Sequence, residues 1–128
     1  MKIALSQRNY HVGNFDENAS KIINDIRKAR ENQADLVVFS ELSVCGYPPR
    51  DFLEQKDFIA ESEKTVQRIA KGCIGIAAIV GAPRINPDPS GKKLFNAAFL
   101  LADGKIQSIH NKTLLPTYDI FDEYRYFE

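Results

Sequence analysis

One stretch, residues 35–49 with the sequence DLVVFSELSVCGYPP, limits the fold more than any other part of the chain. Its apolar segment Leu36–Phe39 has the length and the β-branched content of a buried strand, and the glycine and prolines that follow exclude a continuing helix. Glu41 is therefore predicted at the carboxyl end of a core strand, where ligand sites gather in open α/β sheets. A solvent-exposed glutamate at the start of a loop is the alternative interpretation.

The residues that precede this strand predict a β-α-β unit. The segment Lys2–Gln7 alternates through Ile3 and Leu5, which indicates a half-buried first strand. An amphipathic helix follows it, beginning with a capping pattern at Asn14 and ending near Asn32. Two strands joined by a helix in this way are expected to be parallel.

The next part of the chain predicts a second β-α-β unit followed by a hairpin. A second amphipathic helix leads into an uninterrupted apolar run, Ile74–Ala82, which is typical of a strand covered on both faces. A proline-rich surface loop is expected at residues 83–93. The strand Leu94–Ala102 then turns at Asp103-Gly104, a strong hairpin signal, into the strand Lys105–His110. No period fits the polar and aromatic tail that follows. The buried stripe of the second helix is predicted to comprise Phe58, Ile59, Ser62, Val66, Ile69 and Ala70.

Composition argues against several classes of protein. The chain of 128 residues, enough for one domain, carries 17 basic and 17 acidic residues, so it lacks the positive excess expected of a nucleic-acid-binding domain. No apolar run is long enough to cross a membrane, and the polar residues after Leu5 argue against a signal peptide. A cytoplasmic location is therefore predicted. The two cysteines form neither a disulfide framework nor a metal-binding motif, so no metal site is predicted.

Two ionisable residues, Glu41 and Lys112, follow predicted strands directly. If these strand ends are adjacent, a carboxylate that accepts a proton and an ammonium that stabilises an oxyanion face one pocket. This pair lacks a nucleophile. Cys45 lies in a turn close to Glu41 and Cys73 precedes a buried strand, but neither has the electropositive, accessible setting of a reactive thiol. Cys73 is expected to behave as a small hydrophobic residue, and Cys45 is not expected to be a catalytic thiol.

Several segments of the sequence resemble the nitrilase, or carbon-nitrogen hydrolase, superfamily. Within that superfamily, GYPPRDFL and LPTYDIFDEYRYF are similar to the N-terminal glutaminase domains of glutamine-dependent NAD synthetases. The resemblance extends in order over essentially the whole chain. Its segments are residues 39–42 (FSEL), 46–49 (GYPP), 111–116 (NKTLLP), 118–123 (YDIFDE) and 125–127 (RYF).

The resemblance implies an α/β fold of the nitrilase-like αββα-sandwich type, of which this chain is the N-terminal part, and a Glu-Lys-Cys triad. Glu41 would be the general base and Lys112 the residue that stabilises the tetrahedral intermediate. Glu123 would orient the lysine and the substrate. Tyr118 and Phe121 would help to line a pocket for glutamine. Without the resemblance, Glu123 would be interpreted as part of a solvated turn.

The resemblance also implies parts that residues 1–128 do not contain. In this family the nucleophilic cysteine follows the lysine at a distance, whereas residues 113–128 hold no cysteine, and no glycine-rich phosphate loop occurs in the sequence. The sequence is therefore expected to stop before the nucleophile and to be inactive alone. ATP, magnesium and deamido-NAD are expected to bind a separate synthetase domain. Glutamine is the expected substrate of the domain to which residues 1–128 belong, and a homo-oligomer is the expected assembly.

Two other functions stay open at this point. One is a free-standing amidase or carbamoylase of the same superfamily, and the other is a noncatalytic assembly module that keeps the fold without the chemistry. The GYPPRD turn favours the glutaminase domain over the free-standing enzyme. A phosphate-binding loop encoded downstream would separate these two enzymes.

Overall fold

The computed structural model describes residues 1–88 and 90–128, so Pro89, which belongs to the predicted loop at 83–93, lies outside the described residues. Two helices pack on a five-stranded sheet. The strands are β1 (Ile3–Leu5), β2 (Leu36–Val38), β3 (Ala77–Ile85), β4 (Leu94–Ala102) and β5 (Lys105–Asn111). The helices are α1 (Phe15–Glu31) and α2 (Lys56–Ala70), with short 3-10 helices at Arg50–Glu54 and Glu123–Arg125.

The strands lie side by side in chain order, from β1 to β5. The first three are parallel, which confirms both predicted β-α-β units, whereas β4 and β5 are each antiparallel to the preceding strand. Asp103 and Gly104 form the predicted hairpin turn, with φ angles of 53° and 75°. Because β2 and β5 consequently run in the same direction, their carboxyl ends reach the same edge of the sheet.

Helix α1 begins where the capping pattern predicts. The Asn14 side chain accepts a hydrogen bond from the backbone N–H of Glu17 at 3.3 Å and donates one to the Glu17 carboxylate at 2.7 Å. This exchange satisfies a backbone donor that the first helical turn otherwise leaves free. The first residue of the helix is therefore fixed, and this determines which of its residues form the apolar stripe that faces the sheet.

The two helices cover one face of the sheet and enclose the core there. All six predicted positions of the α2 stripe are buried. The rings of Phe15 and Phe58 pack edge to face across the helix pair, with centroids 5.0 Å apart. Beneath the helices, Val37, Ala78 and Val80 are at most 1% exposed. The helices and sheet thus supply one α layer and one β layer of the predicted sandwich.

The other face of the sheet is apolar and open, which contradicts the prediction for β1. Ile3 and Leu5 are 47% and 76% exposed, whereas Ala4 is the residue that packs against the core. The strand is also shorter than the predicted Lys2–Gln7. Alternation shows that two faces differ, but it does not show which face a helix covers.

Strand β3 differs from its prediction in position and in burial. It begins at Ala77, because Gly75 has a φ of +71° that interrupts an extended chain, and it continues to Ile85, so the predicted loop begins later than residue 83. Ile79 is only half-buried, so the prediction of a strand covered on both faces is wrong. Pro83 is tolerated because its nitrogen points, like that of Gly81, to the side on which β2 has already ended.

None of the helices among the described residues is both long enough and apolar enough to cross a bilayer.

Candidate active site

Glu41 lies in a turn that packs tightly against β3. The backbone N–H of Val44 donates to the carbonyl of Gly81 at 3.1 Å, and Leu42 adopts a φ of +50° while being only 1% exposed. A Cβ at Gly81 would stand 2.4 Å from the Leu42 nitrogen and 3.1 Å from the Glu41 carbonyl carbon. Only glycine therefore allows the turn to approach so closely, and this approach fixes the backbone of Glu41.

We expect Gly81→Ala to displace this turn. Overpacking of this kind costs about 1–3 kcal/mol of unfolding free energy, and the displaced Glu41 loses its contacts. Urea denaturation of the full-length protein measures the loss. Gly72→Ala is a matched control, because a Cβ there would meet the Ile69 carbonyl oxygen at 3.2 Å and no atom of the Glu41 turn. An equal loss of stability in both variants would contradict a special role for Gly81.

A buried asparagine holds the other end of the same turn. The Asn18 side chain, on α1, donates to the carbonyl oxygens of His11 at 2.8 Å and Val44 at 3.2 Å, and it accepts from the His11 N–H at 3.1 Å. Asn18 is fully buried, so these bonds satisfy polar groups that water cannot reach. The turn after Glu41 is thus tied to both α1 and β3.

Lys112 follows β5 and reaches the Glu41 carboxylate. Its backbone N–H donates to the carbonyl of Asn96 on β4 at 2.8 Å. Its Nζ lies 3.0 Å from Glu41 Oε1, 2.9 Å from Glu123 Oε2 and 3.1 Å from Glu123 Oε1. The predicted meeting of Glu41 and Lys112 is therefore confirmed, and Glu123 joins them.

Glu123 is the most buried member of this group, at 4% exposure. Its backbone N–H donates to the Pro116 carbonyl at 3.2 Å, and its carbonyl accepts from the Phe127 N–H at 3.0 Å. Phe127 is 2% exposed and forms a parallel bridge with Leu94 at the start of β4. A tail without regular periodicity is thus folded back onto the sheet, and the interpretation of Glu123 as part of a solvated turn is wrong.

Charge pairing determines the protonation of this cluster. Partial burial raises the pKa of Glu41, but hydrogen bonds from Lys112 and Asn96 outweigh it and hold that pKa below its usual value. Burial likewise lowers the pKa of Lys112, but hydrogen bonds to Glu123 and Glu41 leave it raised overall. At neutral pH the site therefore contains an ionised Glu41 and a protonated Lys112.

Sequence reasoning missed Asn96. Its Nδ2 donates to Glu41 Oε1 at 2.6 Å and lies 3.4 Å from Glu123 Oε2. The residue is 3% exposed and is the third residue of β4, with apolar residues on both sides of it in the sequence. A polar residue within that apolar strand is a signal that it serves a buried polar site, since an unpaired amide is costly in a core.

The two aromatic residues predicted to line a substrate pocket differ in position. Phe121 lines a cavity of about 120 Å³ between the turn at 47–53 and the tail at 120–127, and Tyr47 and Glu123 line it too. Tyr118 does not line this cavity and is 69% exposed, although its ring packs edge to face on Phe121 with centroids 5.6 Å apart. The structure therefore brings Phe121 beside Glu123 and leaves Tyr118 at the surface.

Neither cysteine among the described residues is placed to act as a nucleophile. Cys45 and Cys73 are both fully buried. Burial raises the pKa of the Cys45 thiol to about 12 and that of the Cys73 thiol to about 11. Since the thiolate is the reactive form, both side chains are inert at neutral pH. The described residues also contain no group of three His, Cys, Asp or Glu side chains that could hold a metal ion.

We expect Cys45 and Cys73 to resist alkylation in the native protein. Iodoacetamide at pH 7.5 should leave both thiols unmodified over a period in which urea-denatured protein reacts fully, because folding removes both access and thiolate. Peptide mapping by mass spectrometry of the full-length protein locates the modification. Rapid native labelling of Cys45 would contradict this result and make that residue a candidate nucleophile.

Comparison with known proteins identifies the family. Residues 2–128 match the family model described as carbon-nitrogen hydrolase. The chain belongs to the carbon-nitrogen hydrolase family. One relative, the glutamine-dependent NAD(+) synthetase of Xylella fastidiosa, is 41% identical over 100% of this chain. This carbon-nitrogen hydrolase chain spans 23% of the length of that relative.

Solved structures agree with this assignment. The glutamine-dependent NAD+ synthetase of Acinetobacter baumannii, solved in complex with ADP, is 33% identical and superposes with a TM-score of 0.87 over 98% of this chain and 23% of its own. An amidase from Nesterenkonia sp. is 24% identical, with a TM-score of 0.79 over 100% of this chain and 47% of its own. The second likeness concerns the fold alone. Together they confirm the predicted nitrilase-like architecture for this carbon-nitrogen hydrolase.

Proposed function

We propose that this chain contributes the acid-base and electrostatic residues of a glutaminase, an enzyme that hydrolyses the side-chain amide of glutamine. The observation that carries the proposal is one ammonium, that of Lys112, shared between Glu41 at 3.0 Å and the buried Glu123 at 2.9 Å. The relatives named glutamine-dependent NAD synthetases supply the substrate class. A base and an oxyanion-stabilising cation at one sheet edge suit acyl transfer better than binding alone.

In this proposal Glu41 is the general base and Lys112 stabilises negative charge. The Glu41 carboxylate accepts the proton of a cysteine thiol, and the resulting thiolate attacks the amide carbon of glutamine. Lys112 donates hydrogen bonds to the oxygen that becomes negative in the tetrahedral intermediate. Glu41 then returns the proton to the leaving nitrogen, ammonia departs, and a thioester remains. Glu41 then accepts a proton from water as the water attacks the thioester carbon, the C–S bond breaks to release glutamate, and the proton passes from Glu41 to the departing cysteine sulfur.

Glu123 holds Lys112 and does not compete for the substrate. Its two carboxylate oxygens lie 3.1 and 2.9 Å from Nζ, and its 4% exposure keeps it away from bulk water.

We propose that Phe121, which lines the adjacent cavity, contributes to the glutamine pocket. Tyr118 remains a candidate for that pocket only as a surface residue at its margin. The thiol belongs to a cysteine outside residues 1–128, because Cys45 and Cys73 are buried.

The wider protein is proposed to be a glutamine-dependent NAD synthetase. Residues 1–128 would be part of its glutaminase domain, and a separate synthetase domain would bind ATP, magnesium and deamido-NAD and use the ammonia. This assignment is supported by relatives of that name that match 98–100% of this chain over 23% of their own length. A cytoplasmic location and assembly as a homo-oligomer belong to the same proposal. No step described above involves ATP or magnesium.

Ammonia release by the full-length protein tests the proposal. Purified protein is supplied with glutamine, and glutamate and ammonia are measured with and without deamido-NAD and ATP. We expect equal amounts of glutamate and ammonia, and incorporation of that nitrogen into NAD when deamido-NAD and ATP are present. Hydrolysis of other aliphatic amides in preference to glutamine would instead indicate a free-standing amidase. Absence of any amide hydrolysis would indicate a noncatalytic module and reject the proposal.

A further inference from the structure

Asn96 connects the three ionisable side chains of the candidate site. Its Nδ2 donates to Glu41 Oε1 at 2.6 Å and approaches Glu123 Oε2 at 3.4 Å, while its backbone carbonyl accepts from the Lys112 N–H at 2.8 Å. Because carboxylates are acceptors only, the amide must present its nitrogen rather than its oxygen to both of them. One residue of β4 therefore contacts Glu41, Glu123 and Lys112.

The surroundings of Asn96 make it a rigid support. The residue is 3% exposed and pairs with Pro83 within the regular β3–β4 ladder. A side chain that is buried on a central strand has few alternative rotamers, so its amide holds a constant direction. Glu41, by contrast, has a side chain that is 45% exposed and lies in a turn. The more exposed side chain, that of Glu41, is thus held by the buried one, that of Asn96.

The pattern of donors distinguishes the two oxygens of Glu41. Oε1 accepts both the Asn96 hydrogen bond at 2.6 Å and the Lys112 hydrogen bond at 3.0 Å. Neither of these two donors bonds to Oε2. Two donors on one oxygen fix the plane and direction of the carboxylate and leave the second oxygen free to accept a proton.

We propose that Asn96 is a positioning residue, which anchors Oε1 of Glu41 so that Oε2 is the atom that accepts the proton from the nucleophile. The inference rests on the proposed function, since it assigns a role within that reaction. Asn96 contacts no substrate in this account, and it acts through Glu41. Donation to an ionised carboxylate also favours its charged form, so removal of the amide must raise the pKa of Glu41.

The substitutions that test this role are Asn96→Leu, which keeps a similar volume without a donor, and Asn96→Ser, which keeps a short polar group. In the full-length protein we expect kcat for glutamine hydrolysis to fall about 10²-fold in Asn96→Leu, because misplacement of a catalytic group by about 1 Å has an effect of that size. KM should change little. The acid limb of the pH profile of kcat/KM should move to higher pH, since a less stabilised carboxylate needs a higher pH to ionise.

Thr65→Val is the matched control for simple loss of a buried hydrogen bond. The Thr65 hydroxyl donates to the Glu61 carbonyl at 2.7 Å within α2, is 4% exposed as a residue, and touches no member of the cluster. This variant should lose stability without any movement of the acid limb. A folded Asn96→Leu or Asn96→Ser protein whose acid limb coincides with that of the wild type would overturn the inference, even if its kcat were reduced.

A second measurement does not depend on catalysis. The pKa of Glu41 is depressed in the folded protein, so its contribution to stability is complete above the unfolded value of about 4.3 and is lost as pH falls through the folded value. The destabilisation caused by Asn96→Leu should therefore shrink in urea titrations below that pH, and this trend should disappear in a Glu41→Gln background. If this pH trend is observed in a protein that does not hydrolyse glutamine, only the proposed function is rejected. If the trend is absent, the role of Asn96 is rejected.

Discussion

Replacement of Glu41 by glutamine is expected to lower kcat/KM for glutamine hydrolysis by about 10²–10⁴-fold, the usual contribution of a positioned general base. Glutamine has nearly the same shape and can still accept a hydrogen bond from Lys112 or Asn96, but it cannot take up a proton at neutral pH. The loss should therefore appear in turnover rather than in folding. Assay of ammonia release by the full-length protein, with a melting curve of the same preparation, measures both.

Glu61→Gln is a suitable control for this experiment. Glu61 lies on α2 with a side chain that is 51% exposed, and it pairs only loosely with Lys64 at 3.5 Å. Surface pairs of this kind contribute about 0–1 kcal/mol, so neither stability nor turnover should change. If Glu41→Gln kept near-normal turnover while the wild type was active, the assignment of the base would be wrong, although the enzyme would still be a glutaminase.

Replacement of Lys112 by methionine is expected to abolish turnover and to destabilise the protein. Loss of one oxyanion partner reduces kcat by about 10²–10³-fold. In addition, the Glu123 carboxylate, at 4% exposure, would keep only one hydrogen bond among residues 1–88 and 90–128, the long one from the Asn96 amide at 3.4 Å. Removal of one partner of a fully buried ion pair costs about 3–5 kcal/mol, and the cost is smaller here because the Lys112 side chain is 31% exposed. Sequence reasoning alone predicts loss of activity with an intact fold, so the stability cost follows only from the structure.

A double variant separates these two effects. Lys112→Met with Glu123→Leu removes the stranded carboxylate, and apolar replacement of both partners of a buried pair is often close to neutral. We expect urea titration to show recovered stability in the double variant while ammonia release stays absent. Recovery of turnover together with stability would mean that Lys112 is only structural. Lys64→Met, at a surface position, controls for the change of residue type.

The pH dependence of the Lys112 contribution has a definite sign. The pKa of Lys112 is raised in the folded protein, so the stability it adds is fully present below the unfolded value of about 10.4 and is lost as pH rises through the folded value. The difference in unfolding free energy between wild type and Lys112→Met should accordingly be constant near neutrality and decrease only in strongly alkaline solution. A decrease between pH 7 and 9 would contradict the proposed pairing.

Much of the fold was predictable because local patterns and short connections dominate this part of the chain. The stripes of α1 and α2, the parallel β-α-β units and the Asp103-Gly104 hairpin all follow from period, capping and turn chemistry. The errors concern burial. Ile3, Leu5 and Ile79 are apolar yet remain partly or largely exposed, since an apolar pattern indicates a surface suited to burial without specifying what covers it.

The amino-acid sequence by itself determined the family, the order of the strands along the chain and the two charged residues that follow β2 and β5, because these depend on residue types and spacing. The tertiary structure decided which side chains meet. Glu123 lies in a tail without periodicity, and Asn96 lies within an apolar strand, so neither has a local pattern that indicates its partner. Their contacts with Lys112 and Glu41 span 11 and 55 residues of sequence. Only the packing of the tail on β4 and of the Glu41 turn on Gly81 brings those groups within hydrogen-bonding distance.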